Sequence, residues 1–120
     1  MPTVADYLIL RDAPFTLATG GDIDRQFDFS LDSDVRLNQS MILQFFVVSS
    51  QNASSLAFRS TVNGSGVRTI DVNGNFFCTV HEAFPGSVAR QGQNQYAVSI
   101  TSGTGRVEIS DVVIWFQRDV

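Results

Sequence analysis

The chain holds a single histidine, His81, a single cysteine, Cys78, and no lysine. Nucleophilic catalysis of the serine-hydrolase type needs a serine, a histidine and an acid together, with the nucleophile on a strained turn or beside an oxyanion hole. No Gly-x-Ser-x-Gly sequence supplies such a turn here. Cys78 and His81 stand three residues apart, and on a strand that spacing sends the two side chains to opposite faces. They are therefore expected neither to pair as nucleophile and base nor to share a metal. Cys78 reads as an inert, mostly buried thiol, and His81 as a surface or hydrogen-bonded structural residue. The missing lysines also exclude Schiff-base chemistry and a lysine-dependent phosphate loop.

Carboxylates are the next candidates. Asp22, Asp24, Asp28 and Asp32 fall on one face of a single predicted strand, with Asp34 just beyond. Same-face carboxylates about 7 Å apart repel unless they are paired or bridged. Calcium would relieve that repulsion, which makes Asp22 and Asp24 candidate ligands. The simpler reading is a solvated face, screened by water and salt and helped by an arginine from the neighbouring strand. The spacing is not that of an EF-hand loop, and one flat strand does not set two acids across a cleft as a glycosidase requires.

The third group is aromatic. Trp115, Tyr7 and Tyr96 are candidates for stacking on the C–H face of a sugar ring, a contact in which nearby polar groups fix the orientation. Arg59, on the polar side of its strand, is a candidate for such a group. Core packing and subunit contact compete for each aromatic. Trp115 shares parity with Val113 and opposes Ile114 and Phe116, so it points outward if the even residues face in.

At 120 residues, with 43% apolar and 17% charged residues, the chain fits one ordinary domain, residues 1–120, with ample surface to bury. The net charge is −4, and all eight basic residues are arginines scattered singly. A nucleic-acid partner requires a dense basic stripe and is excluded. With one cysteine, the fold cannot rest on an internal disulfide. Met1-Pro2-Thr3-Val4-Ala5-Asp6 lacks a basic stretch followed by an apolar run, and no segment approaches the roughly 18 apolar residues of a membrane span. The expectation is a protein that does not insert in membranes and is cytoplasmic or released without a classical signal. Asn38-Gln39-Ser40, Asn52-Ala53-Ser54 and Asn63-Gly64-Ser65 match the glycosylation pattern and read more simply as polar loops.

These candidates must be positioned by strands. Apolar and polar residues alternate with period two, broken about every ten residues by Gly, Asn, Asp or Pro, which predicts about nine short strands and little or no helix. The alternation is clearest over 22–32, where Ile23, Phe27, Phe29 and Leu31 face the core. Residues 41–48 are apolar on both faces, predicting a mid-sheet strand covered on both sides. Asn63-Gly64-Ser65-Gly66 and Val72-Asn73-Gly74-Asn75 are hairpin signals, the second opening a strand from Phe76 to His81. Phe84-Pro85-Gly86-Ser87 marks a turn. Tyr96, Val98 and Ile100 alternate in a later strand closed by Ser102-Gly103-Thr104-Gly105. In the last strand Val107 and Ile109 are odd while Val112, Ile114 and Phe116 are even. A β-bulge near Ser110-Asp111 would reconcile the halves.

From residue 56 to 118, the strand rhythm and turn chemistry resemble the galactose-binding-like jelly rolls used by many carbohydrate-binding modules. The residues that carry the likeness are Val62-Asn63-Gly64, Val72-Asn73-Gly74, Pro85-Gly86, the run Gly92-Gln93-Asn94-Gln95-Tyr96-Ala97-Val98-Ser99-Ile100, and the closing Gly105 to Trp115. The resemblance implies an antiparallel β-sandwich of jelly-roll type. It also implies a structural calcium near the last strand, where Asp111 is the matching position.

Two expectations follow. One is a non-catalytic module that recognises carbohydrate through loops or a concave sheet. The other is a structural sandwich that assembles with copies of itself or with a protein partner, burying Trp115, Val113 and Phe77.

Overall fold

A computed structural model describes residues 2–49 and 54–120. Nine strands form: β1 (Thr3–Arg11), β2 (Phe15–Ala18), β3 (Asp24–Leu31), β4 (Met41–Ser49), β5 (Ser54–Val62), β6 (Ser65–Val72), β7 (Phe76–Phe84), β8 (Gly92–Thr104) and β9 (Arg106–Asp119). A 3-10 turn, Gly86–Val88, stands between β7 and β8. The first sheet runs β1-β9-β4-β7, with β2 also paired to β9, and the second runs β3-β8-β5-β6. Every pairing is antiparallel. The two sheets make the antiparallel sandwich that the alternation predicts.

Alternate residues explain why the layers meet. Met41, Leu43, Phe45 and Val47 of β4 are buried, and so are Leu56, Phe58 and Val62 of β5 and Tyr96 and Val98 of β8. The Phe45 and Phe58 rings lie 6.2 Å apart across the interior. Each such side chain contributes about 1.5–3 kcal/mol through burial. Arg11 lies over Phe27 at 5.5 Å, and Arg25 lies over Phe15 at 5.4 Å and Phe27 at 5.5 Å. Both arginines are half-buried, so their stems cover these rings.

The bulge in the last strand is present. Gln44 pairs with Val113, but Phe46 pairs with Ser110, so β9 carries one extra residue there. Asp111 takes it up at φ 55°. Val107 and Ile109 before it, and Val112, Ile114 and Phe116 after it, all reach the core. The Asn63-Gly64 turn also forms as expected, with φ of 50° and 83° joining β5 to β6. Both residues are left-handed, as a two-residue hairpin turn of this twist requires.

Four sequence expectations need correction. Val72-Asn73-Gly74-Asn75 makes a turn but not a hairpin, because β6 belongs to one sheet and β7 to the other. β7 runs on to Phe84 instead of stopping at His81. β3 begins at Asp24, leaving Ile23 half exposed. β4 is central, between β9 and β7, yet only its odd face is covered. Ile42 and Val48 are exposed, and Gln44 and Phe46 are partly exposed.

Candidate functional site

The uncovered face of β4 belongs to a plateau formed by the outer face of the β1-β9-β4-β7 sheet. The register aligns its side chains in rows. Tyr7 lies opposite Trp115, Trp115 opposite Ile42, and Ile42 opposite Ala83. One row along, Ile9 faces Val113, Val113 faces Gln44, and Gln44 faces His81. Further on come Phe46 with Thr79, then Val48 with Phe77.

Tyr7 is 51% exposed and Trp115 38%. Their ring centroids are 5.0 Å apart with planes tilted by 43°. The indole Nε1 donates to Gln44 Oε1 at 3.0 Å, which fixes the Trp115 ring on the sheet. Gln117, two residues along β9 from Trp115, accepts from Thr3 Oγ1 at 3.3 Å. An aromatic pair is thus flanked by amide and hydroxyl groups from Gln44, Gln117 and Thr3, with the His81 imidazole further out on β7, beside Gln44. An apolar body with a polar periphery matches the two-sided chemistry of a sugar ring.

The other two predicted ligand residues lie elsewhere. Tyr96 is fully buried, with its hydroxyl 3.1 Å from Ser60 Oγ, so it offers no face to a ligand. Burial pushes its phenol well above the ordinary tyrosine range, and the Ser60 hydrogen bond offsets part of that. Its parity already placed it with Val98, a core position. Arg59 stands on the outer face of the opposite sheet, paired with Ser99 and Thr69. Its guanidinium lies across Gly66, where a Cβ would collide with it. It is therefore on the far side of the molecule from Tyr7 and Trp115.

The aspartates do not converge. Asp24 opens β3 and faces Ser99, and Asp22 lies in the preceding loop with its carbonyl accepting from Ala18 N. Asp111 is in the other sheet, at the bulge, 3.3 Å from Ser110 Oγ. Among the described residues no three His, Cys, Asp or Glu side chains gather as a metal would need. Asp22 and Asp24 lie at the start of the second sheet and Asp111 in the first, so these three carboxylates do not make one common site. On the neighbouring strand β8, Gln95 faces Asp28 and Ser99 faces Asp24. An arginine does meet the far end of the stripe, from β9: Arg118 pairs with Asp34 at 3.1 Å and with Asp6 at 2.8 Å.

Cys78 is partly buried on the inner side of β7, and His81 is exposed on the plateau, on opposite faces as their spacing requires. Asn63, one of the glycosylation-pattern asparagines, donates its amide to Val88 O and Asn94 Oδ1, both at 2.9 Å. Asn52 and Ala53 of another such triplet lie outside the described residues. Sequence reasoning missed Gln44, Phe46 and the plateau role of His81. The available signal is the apolar character of the even positions of β4, which by itself points to a covering layer.

No family model matches the chain, and no curated protein matches it by sequence. Solved structures do match. Dimeric latent PorU from Porphyromonas gingivalis aligns with a TM-score of 0.80 at 9% identity, over 99% of this chain and 13% of that one. A beta-porphyranase of glycoside hydrolase family 86 from Bacteroides plebeius aligns with a TM-score of 0.55 at 16% identity, over 97% and 20%. A family 35 carbohydrate-binding module from Clostridium thermocellum aligns with a TM-score of 0.52 at 13% identity, over 91% of this chain and 97% of the module. The chain has the β-sandwich fold of the carbohydrate-binding modules. It corresponds to a small part of the two longer chains and to nearly the whole of the module. At these identities the likeness concerns fold alone.

Proposed function

We propose that the protein is a non-catalytic recognition module that binds carbohydrate on the outer face of the β1-β9-β4-β7 sheet. Tyr7 and Trp115 stack on the sugar, while Gln44, Gln117 and His81 meet its hydroxyls. The observation that carries this reading is the exposed Tyr7–Trp115 pair, its indole held in place by Gln44. The ring is oriented before ligand arrives, so little ordering entropy opposes binding. A glycan-array screen of the purified protein, repeated with Trp115→Ala, tests it. Saturable binding to one glycan class, lost in a folded variant, supports the reading; an array blank for both proteins counts against it.

A second reading, assembly with copies of itself, is favoured by the apolar reach of the same plateau. Ile9 and Ile42 are exposed beside the aromatic pair, and Val48 and Phe77 further along the same face. A patch of this kind usually marks an interaction surface. Sedimentation equilibrium distinguishes the two readings, because assembly predicts a symmetric dimer and recognition a monomer.

A further inference from the structure

One aromatic side chain stands on each strand of the plateau. Tyr7 is on β1, Trp115 on β9, Phe46 on β4 and Phe77 on β7. The register sets them on a diagonal: Tyr7 faces Trp115, Trp115 faces Ile42, Phe46 follows four residues along β4, and Phe77 pairs with Val48 two residues further. With strands about 4.8 Å apart and about 3.4 Å per residue along them, Tyr7 and Phe77 are roughly 25 Å apart. Ile42, Val113 and Gln44 fill the interval. Phe77 is 76% exposed, too far out to serve the core.

The line carries no arginine. The charged side chains beside it are carboxylates: Glu108 pairs with Val48, and Asp111 sits in the bulge next to Ser110, which pairs with Phe46. Arg106 lies beyond Glu108 at the end of β9. In a chain of net charge −4, an anionic polymer laid on this line would meet like charge along it, with Arg106 past its end as the nearby cation.

We infer that the Tyr7-Trp115-Phe46-Phe77 diagonal binds the C–H face of an uncharged, extended polysaccharide over several sugar units. This rests on the carbohydrate reading above and adds the ligand's charge, its length and its direction across the strands. A second copy of the chain is the rival occupant. The interspersed Gln44, Thr79 and His81 favour sugar, whose hydroxyls supply partners at close intervals.

The test is retention of the full chain on microcrystalline cellulose, chitin, xylan and agarose as uncharged probes, with polygalacturonate and carrageenan as charged ones. For any polymer that binds, its oligosaccharides are then titrated by length. Retention on an uncharged polymer is expected, with an oligosaccharide of six units binding at least tenfold more tightly than the disaccharide. Phe77→Ala should weaken binding about tenfold and Trp115→Ala should abolish it, with melting of both variants checked. Equal affinity for disaccharide and polymer, with Phe77→Ala unchanged, overturns the inference while leaving the Tyr7–Trp115 platform standing. Retention only on the charged polymers also overturns it. No retention on any probe, with dimers in sedimentation, overturns both the inference and the carbohydrate reading.

Discussion

Tyr7 and Trp115 meet across the β1 to β9 pairing with ring centroids 5.0 Å apart, and the indole N–H of Trp115 is committed to Gln44 rather than to solvent. That hydrogen bond holds the ring at a fixed angle, so Gln44 acts as a positioning residue. Gln44→Ala is expected to weaken sugar binding about fivefold, the worth of about 1 kcal/mol. Gln44→Glu keeps an acceptor and should retain more affinity than alanine. Isothermal titration of the three proteins against one glycan checks the order.

Two phenylalanines separate the jobs of core and plateau. Phe45 is fully buried between the sheets and Phe77 is 76% exposed. Phe45→Ala is expected to destabilise the protein by about 3–5 kcal/mol through lost burial and the cavity left behind. Phe77→Ala should stay within about 0.5 kcal/mol of wild type. Urea unfolding of both variants measures the contrast.

The strand pattern was legible wherever one face is core and the other wet, as with Phe29 against Asp28 and Ser30 in β3. The bulge was legible as well, because the odd inward parity of Val107 and Ile109 cannot give way to the even parity of Val112 and Ile114 without an extra residue. What local chemistry cannot carry is which sheet a strand joins. Asn73-Gly74 turns the chain equally well in a hairpin or in a crossover, and here it crosses. The same limit hid the plateau, since an apolar even face on β4 looks the same whether another layer or an external partner covers it. Residue type and parity are enough to single out Tyr7 and Trp115. Their contact, and the Gln44 bond, depend on a pairing between residues more than 70 positions apart.

Asp111 supplies that extra residue at φ 55°. Asp111→Gly should be nearly neutral, because glycine takes the left-handed region freely. Asp111→Val should cost about 1–2 kcal/mol. Deleting the residue would turn Val112, Ile114 and Phe116 away from the core and is expected to abolish folding. Circular dichroism melts of the three variants distinguish these outcomes.

The buried Tyr96 phenol predicts alkaline instability. In the unfolded chain it releases its proton near pH 10, whereas burial in the folded chain holds the proton to higher pH, with the Ser60 bond partly opposing. A raised folded value leaves stability intact below about pH 10 and erodes it above, by up to about 1.4 kcal/mol per pH unit. Tyr96→Phe should lose about 1–2 kcal/mol at neutral pH, because Ser60 loses its partner. It should also show a shallower decline above about pH 10. Unfolding free energies measured from neutral into strongly alkaline solution test both signs.

Chelation should change neither melting nor binding, since Asp22, Asp24 and Asp111 lie in different sheets and loops. A fall in melting temperature with chelator, restored by calcium, would contradict that.

Trp115 is the chain's one tryptophan, so its emission reports directly on the proposed platform. The most direct measurement is a fluorescence titration of wild type and Tyr7→Ala with the glycan that an array selects. A saturable shift in Trp115 emission, weakened at least tenfold in a folded Tyr7→Ala protein, is the predicted result. Saturable glycan binding with Trp115 emission unmoved and Tyr7→Ala unaffected would place the sugar elsewhere and contradict the central claim.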